Sequence, residues 1–143
     1  ARGGLLDATD RFSVQLDAYL GSAKADRPGV QMRLAESSAE LRSAELLIDD
    51  TVALLAHAAD GHDTRELRAH AKYQASYAID LARRSLDRVV TAAGARALFD
   101  GSRLQRCYRD VTMASQHAVA DLDTVGQTYG RTLLGQSPGA HPL

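Results

Sequence analysis

Between its glycines and prolines the chain alternates apolar and polar residues with a helical period rather than the twofold alternation of a strand. Leu5, Phe12, Leu16 and Leu20 fall at helical spacing and predict a first helix over about residues 5–20. It starts abruptly, as though the chain continued from something longer. A second helix is predicted over about 28–59, opened by Pro28, whose missing N–H costs nothing in a first helical turn. Leu34, Leu41, Ile48 and Leu55 recur every seven residues, with Ala44 and Val52 between them, which is the pattern of a bundle seam. A third helix is predicted over about 64–93, capped by Asp63 with Glu66 three residues on. Leu67, Ala71, Ala78, Leu81 and Ser85 line one of its faces, and Ile79, Leu86, Val90 and Ala93 line another. Two apolar faces call for burial on two sides, and so for neighbours beyond a simple monomer. A fourth segment starts near Ser102 with Gln105 in the capping-box position, breaks near residues 117–121 and resumes over 124–134.

Glycine and proline punctuate the pattern at 21–29, 60–63, 94–102 and from Gly135 onward, so the links are short. The second and third helices, at about 30 residues each, would be about 45 Å long. Long helices with short links describe an all-α, up-down four-helix bundle, expected to fill residues 1–143 as a single domain. The Ser-Pro-Gly tail reads as mobile.

Composition narrows the function classes. Aromatic residues make up 5% of the chain and tryptophan is absent, which suits close helix packing more than a sheet sandwich. The net charge of −1 comes from interspersed signs, so no nucleic-acid-binding stripe is expected. No apolar run is long enough to span a membrane. The N-terminal Ala1-Arg2-Gly3-Gly4 lacks the apolar stretch of a signal peptide. Cys107 is the sole cysteine, which excludes an intrachain disulfide and fits a reducing, cytoplasmic setting.

Candidate chemistry concentrates late in the chain. His57, His62 and His70 lie near one turn, but without metal-binding spacing, and read as exposed turn histidines; no metal is expected. Gly94-Ala95-Arg96 reads as a helix C-cap rather than a phosphate loop. Arg103, Arg106 and Arg109 crowd the start of a helix, against its dipole. They need carboxylates from other helices, a ligand phosphate or another subunit. His117 follows; spacing alone reads it as a structural histidine more readily than as a catalytic one.

These residues also carry a resemblance. Leu104-Gln105-Arg106, Arg109-Asp110, His117 and Tyr129-Gly130, with Gln31-Met32-Arg33-Leu34-Ala35-Glu36 behind Pro28, resemble the acyl-CoA dehydrogenase superfamily, and most of all its flavin-dependent aromatic hydroxylase branch. The resemblance implies the C-terminal bundle of the oxygenase component of a two-component monooxygenase. The N-terminal helical and middle β-domains of that fold are not in this sequence. It further implies a tetramer held by the bundles, a flavin reductase as partner, and a reduced flavin, FMN or FAD. Oxygen would pass through a flavin C4a-hydroperoxide to an aromatic or similar small substrate.

By the same resemblance, His117 stands where many dehydrogenases carry a catalytic glutamate, and would act as acid/base or hydrogen-bond donor. Gln31, Arg103 and Arg106 would contact flavin phosphate or a neighbouring subunit. The dehydrogenases' Gly-Gly-x-Gly turn reads Gly94-Ala95-Arg96-Ala97 here, which favours a loosely held flavin. Two alternatives stay open: an acyl-CoA dehydrogenase-like enzyme with its base elsewhere, and a non-catalytic helical oligomerisation module.

Overall fold

Five α-helices form where the apolar periodicity is continuous, and their ends coincide with capping residues and glycines. They are α1 (Arg2–Val14), α2 (Pro28–His57), α3 (Arg65–Ala93), α4 (Arg103–Ser115) and α5 (Leu122–Leu133). The structure is a computed structural model and describes residues 1–14 and 23–139, without the Arg96 side chain. Leu16, Leu20, Gly21 and Pro142 lie outside the described residues. No β-strand occurs among the described residues, so the all-α class holds.

The helix boundaries follow local chemistry. Pro28 is the first residue of α2, as its fixed φ favours. The α3 cap differs from the sequence expectation. Thr64, rather than Asp63, accepts the Leu67 N–H at 3.1 Å, while Asp63 makes a bidentate pair with Arg68. A longer-reaching competitor, the guanidinium, has taken the carboxylate. Gly94 ends α3 at φ 76°, its N–H donating to the Val90 carbonyl, which is the expected C-cap. Ser102 caps α4 through its hydroxyl, which accepts from the Gln105 N–H. The expected break falls between α4 and α5. His117 caps a one-turn 3-10 helix there, Ala118–Ala120, and Asp121 caps α5.

The chain divides into two compact units. The described residues of Ala1–Arg42 and Leu81–Met113 form the first. Its core is Ala8, Phe12, Val30, Leu86, Val89, Ala97 and Leu104. Burying each of Phe12, Leu86 and Leu104 is worth about 1.5–3 kcal/mol. Gly4 lets α1 come down on this core, with space there for a hydrogen and nothing larger. Ser37 and Ser85 are fully buried and exchange hydroxyl-to-carbonyl bonds at 3.1 Å in both directions. Small side chains let α2 and α3 approach closely here. One turn on, Glu40 pairs with Arg88 and, at 3.6 Å, with Arg84. The Lys24 ammonium donates to the Ala93 carbonyl at 2.7 Å and lies 5.5 Å over the Phe12 ring, tying the segment before α2 to the end of α3.

The described residues of Ser43–Asp80 and Ala114–Leu143 form the second unit. Ala44, Thr51, Ala69, Ala71, Gln74, Ala78, Val125 and Thr128 are buried there. Gln74 satisfies its amide by donating to Asp50 at 2.7 Å and accepting from Thr51 at 3.4 Å. A ring stack docks α5 on α3: His70 lies parallel to Tyr129 at 4.7 Å, Tyr129 stacks on Tyr73, and Tyr73 on Tyr77.

The seam on α2 needs correction. Leu34 is half-buried, and Leu41 and Ala44 are buried as expected, but Ile48, Val52 and Leu55 are exposed by 43%, 61% and 51%. The inward line moves instead to Leu47, Thr51, Leu54 and Ala58. Val30, Ser37, Ala44 and Thr51 are buried and Ala58 is half-buried, so the buried line is itself sevenfold, in a register other than that of Leu34, Ile48 and Leu55. On α3 the expected faces hold, with Ala71, Ala78, Leu81, Ser85 and Leu86 buried and Ile79, Val90 and Ala93 half-buried.

Candidate functional site

The basic cluster sits at the N-terminal end of α4, directly after the Ser102 cap. Arg103 and Arg106 lie one turn apart and are exposed. Among the described residues neither meets a carboxylate within 4 Å. The Arg103 guanidinium lies beside Gly3, and a Cβ at that glycine would stand 3.0 Å from it. Arg109 meets only its sequence neighbour Asp110, at 3.6 Å with both side chains more than half exposed. Such an exposed pair is worth about 0–1 kcal/mol. An internal network of carboxylates from other helices is therefore not what holds these arginines.

Gln31, in the first turn of α2, turns its amide N–H back to the Ala25 carbonyl at 2.8 Å. Its carbonyl oxygen receives nothing from the described residues. The carbonyl oxygen can thus accept a hydrogen bond, and the second amide N–H can still donate one. Gln31, Arg103 and Arg106 belong to the first unit, and His117 belongs to the second.

His117 is exposed at the break between α4 and α5. Its Nδ1 accepts the Val119 N–H at 3.4 Å, and its carbonyl accepts the Ala120 N–H at 2.8 Å. A nitrogen that accepts carries no proton, so this contact fits the tautomer with its hydrogen on Nε2. The second end of the break is fixed by Asp121, which accepts from the Thr124 N–H and, in a very short bond, from the Thr124 hydroxyl. That hydroxyl bond first, and then the backbone N–H groups, hold the Asp121 carboxyl below the ordinary 3.8.

Spacing did not single out two other groupings. The stack of His70, Tyr73, Tyr77 and Tyr129 was half legible, because positions 70, 73 and 77 share a helical face, but the fourth ring arrives from α5. The Tyr108 hydroxyl donates to Asp87, which also pairs with Arg83 at 3.0 Å. That hydrogen bond, followed by the charge of Asp87 and by burial, raises the phenol above its usual 10.0. The turn histidines divide. His57 and His62 are exposed and meet edge to face at 4.2 Å, whereas His70 is half-buried in the stack. Among the described residues no three potential ligand side chains gather to hold a metal.

Comparison with known proteins bears on this arrangement. The oxygenase component of p-hydroxyphenylacetate 3-hydroxylase from Acinetobacter baumannii is 33% identical over 85% of this chain. The pigment production hydroxylase of Rhodococcus sp. (strain ATCC 21145) is 33% identical over 99% of it. The chain spans only 29% and 37% of those two proteins. Among solved structures, the HsaA monooxygenase from M. tuberculosis superposes with a TM-score of 0.79 at 27% identity, over 96% of this chain and 35% of its own. XiaF from Streptomyces sp., solved with FADH2 and glycerol, gives 0.90 at 19% identity over 99% of this chain and 37% of its own, a likeness of fold. The acyl-CoA dehydrogenase C-terminal domain family matches residues 1–122. By that match, which takes in α1 to α4 and the His117 turn, the chain belongs to the acyl-CoA dehydrogenase C-terminal domain family.

Proposed function

We propose that this chain is the helical bundle of the oxygenase component of a two-component flavin-dependent monooxygenase, acting on an aromatic or similar small molecule. The observation that carries the reading is the 33% identity, over 85% of the chain, to such an oxygenase component. When bound, the reduced flavin would supply the two electrons with which dioxygen is divided between product and water. The residues present fit such a cofactor. Arg103 and Arg106 offer exposed guanidinium groups with no protein carboxylate to satisfy, and would hold a phosphate, which FMN and FAD share. Gln31 would accept a hydrogen bond through its carbonyl oxygen. His117 would present an Nε2–H, which makes it a hydrogen-bond donor in its neutral form rather than a base.

The same reading includes a flavin reductase that delivers the cofactor, a homotetramer, and a reducing, cytoplasmic setting. Supporting the tetramer is the stripe of exposed apolar side chains Ile48, Val52 and Leu55 on one face of α2. The lone Cys107 fits the reducing setting. No described helix is long and apolar enough to cross a membrane.

The test is His117→Ala in the enzyme that carries this bundle, supplied with reduced flavin and dioxygen. Product per flavin oxidised should fall by about tenfold or more, with hydrogen peroxide rising in its place. Unchanged coupling and unchanged peroxide would refute the role of His117. A second reading, an acyl-CoA dehydrogenase-like oxidoreductase, is favoured by the family match itself. That enzyme would reduce its flavin with an acyl-CoA alone, whereas the oxygenase would need the reductase.

A further inference from the structure

The face of α4 that turns away from Arg103 borders a groove of about 300 Å³, lined by Leu98, Gln105, Tyr108, Arg109, Thr112 and Met113. Gln105, Tyr108, Arg109 and Thr112 follow at helical spacing, so one stripe of the helix makes one wall, and Leu98 joins from the turn after α3. The volume is at the lower end of small-molecule sites.

Three features make it more than a surface dent. First, its wall is held in place: the Tyr108 hydroxyl is bonded to Asp87, and Asp87 is braced by Arg83. The ring is thereby set before any ligand arrives, which lowers the cost of ordering it. Second, its edges are apolar and open to water, with Leu98 51% and Met113 70% exposed. Third, the charge at the rim is cationic. Arg109 lines the groove and its only carboxylate among the described residues is Asp110 at 3.6 Å. Arg106, one turn earlier, adds a second positive charge that meets no carboxylate among the described residues. The exposed pair with Asp110 is weak enough for a ligand carboxylate to displace it, because a guanidinium binds a carboxylate through two parallel bonds.

We propose that this groove is a binding site for a small amphipathic carboxylate, whose apolar body lies between Leu98, Tyr108 and Met113 and whose charge meets Arg109. The groove is separate from the flavin contact read for Arg103, which lies on another face of α4. It does not depend on the oxygenase reading.

The probe is 4-phenylbutyrate, titrated into the protein and followed by calorimetry and by amide shifts in NMR. Its neutral amide, 4-phenylbutyramide, serves as the charge control. The acid should bind saturably at one site, with shifts centred on residues 98–113, and the amide at least about tenfold more weakly. Arg109→Gln should weaken the acid by about tenfold and leave the amide unchanged. Met113→Asp should weaken both. Arg109 and Met113 are exposed, so both variants should keep the wild-type melting curve. Absence of saturation, equal binding of acid and amide, an Arg109→Gln variant that binds as wild type, or displacement of the probe by FMN would each overturn the assignment. The last outcome would give the groove to the cofactor.

Discussion

Gly4 and Gly130 are both helical, and replacing each with alanine separates packing from helix propensity. Alanine is favoured over glycine in a helix interior by about 1 kcal/mol. Part of that gain arises in the unfolded chain, which loses freedom when a Cβ is added. At Gly130 a Cβ would meet nothing within 4 Å, so Gly130→Ala should keep most of the gain and stabilise by up to about 1 kcal/mol. At Gly4 the added carbon would stand 3.0 Å from Leu86 Cδ2, 3.1 Å from Cys107 Cβ and 3.3 Å from Leu104 Cδ1. Leu86 and Leu104 are 0% and 1% exposed, so neither can swing into solvent. The Cys107 Cβ, moreover, is fixed to the α4 backbone. Overpacking of this kind costs about 1–3 kcal/mol, which outweighs a propensity gain that is already reduced so near the helix start. Gly4→Ala should therefore destabilise by about 1 kcal/mol, and the two variants should differ by about 1–3 kcal/mol. Urea unfolding followed by circular dichroism reads this as midpoints displaced to opposite sides of wild type at unchanged slope. If Gly4→Ala raised the midpoint as far as Gly130→Ala does, the close approach of α1 to α3 and α4 would be wrong.

Other consequences follow from the same contacts. Leu104→Ala, at 1% exposure in the first core, should cost about 2–5 kcal/mol in urea unfolding, and a loss below 1 would refute its burial. Glu40→Ala leaves Arg88 without its bidentate partner and should cost about 1–3 kcal/mol, with Glu40→Gln losing less; equal stability of all three forms would show the pair to be idle. The Asp121 carboxyl lies below its ordinary 3.8 in the folded chain, so its cap is present above that pH and is lost as pH falls through the lowered value. Amide exchange at Thr124 should accelerate under those acid conditions, and Asp121→Asn should abolish the pH dependence. Tyr108 is raised above 10.0, so its contribution is complete below pH 10 and is lost as pH climbs through the higher value. Absorbance titration should show one tyrosine ionising late, and that late step should vanish in Tyr108→Phe.

The sequence by itself determined the helices and most of their ends. Pro28, Gly94, Ser102 and Gly135 act within one turn of the backbone, so local chemistry suffices to place them. The break at His117 was legible for the same reason. The resemblance carried by Leu104-Gln105-Arg106, Arg109-Asp110 and His117 was likewise enough to reach the family. Tertiary structure decided matters that depend on two distant segments at once. It turned Ile48, Val52 and Leu55 outward, because the neighbouring segments cover the sevenfold line through Ala44 and Thr51 instead. It put Tyr129 on His70 and Tyr108 on Asp87, pairings between helices that no spacing along the chain encodes. And it left Arg103 and Arg106 without a carboxylate among the described residues, a fact about what surrounds a side chain in space, which periodicity along the chain cannot report.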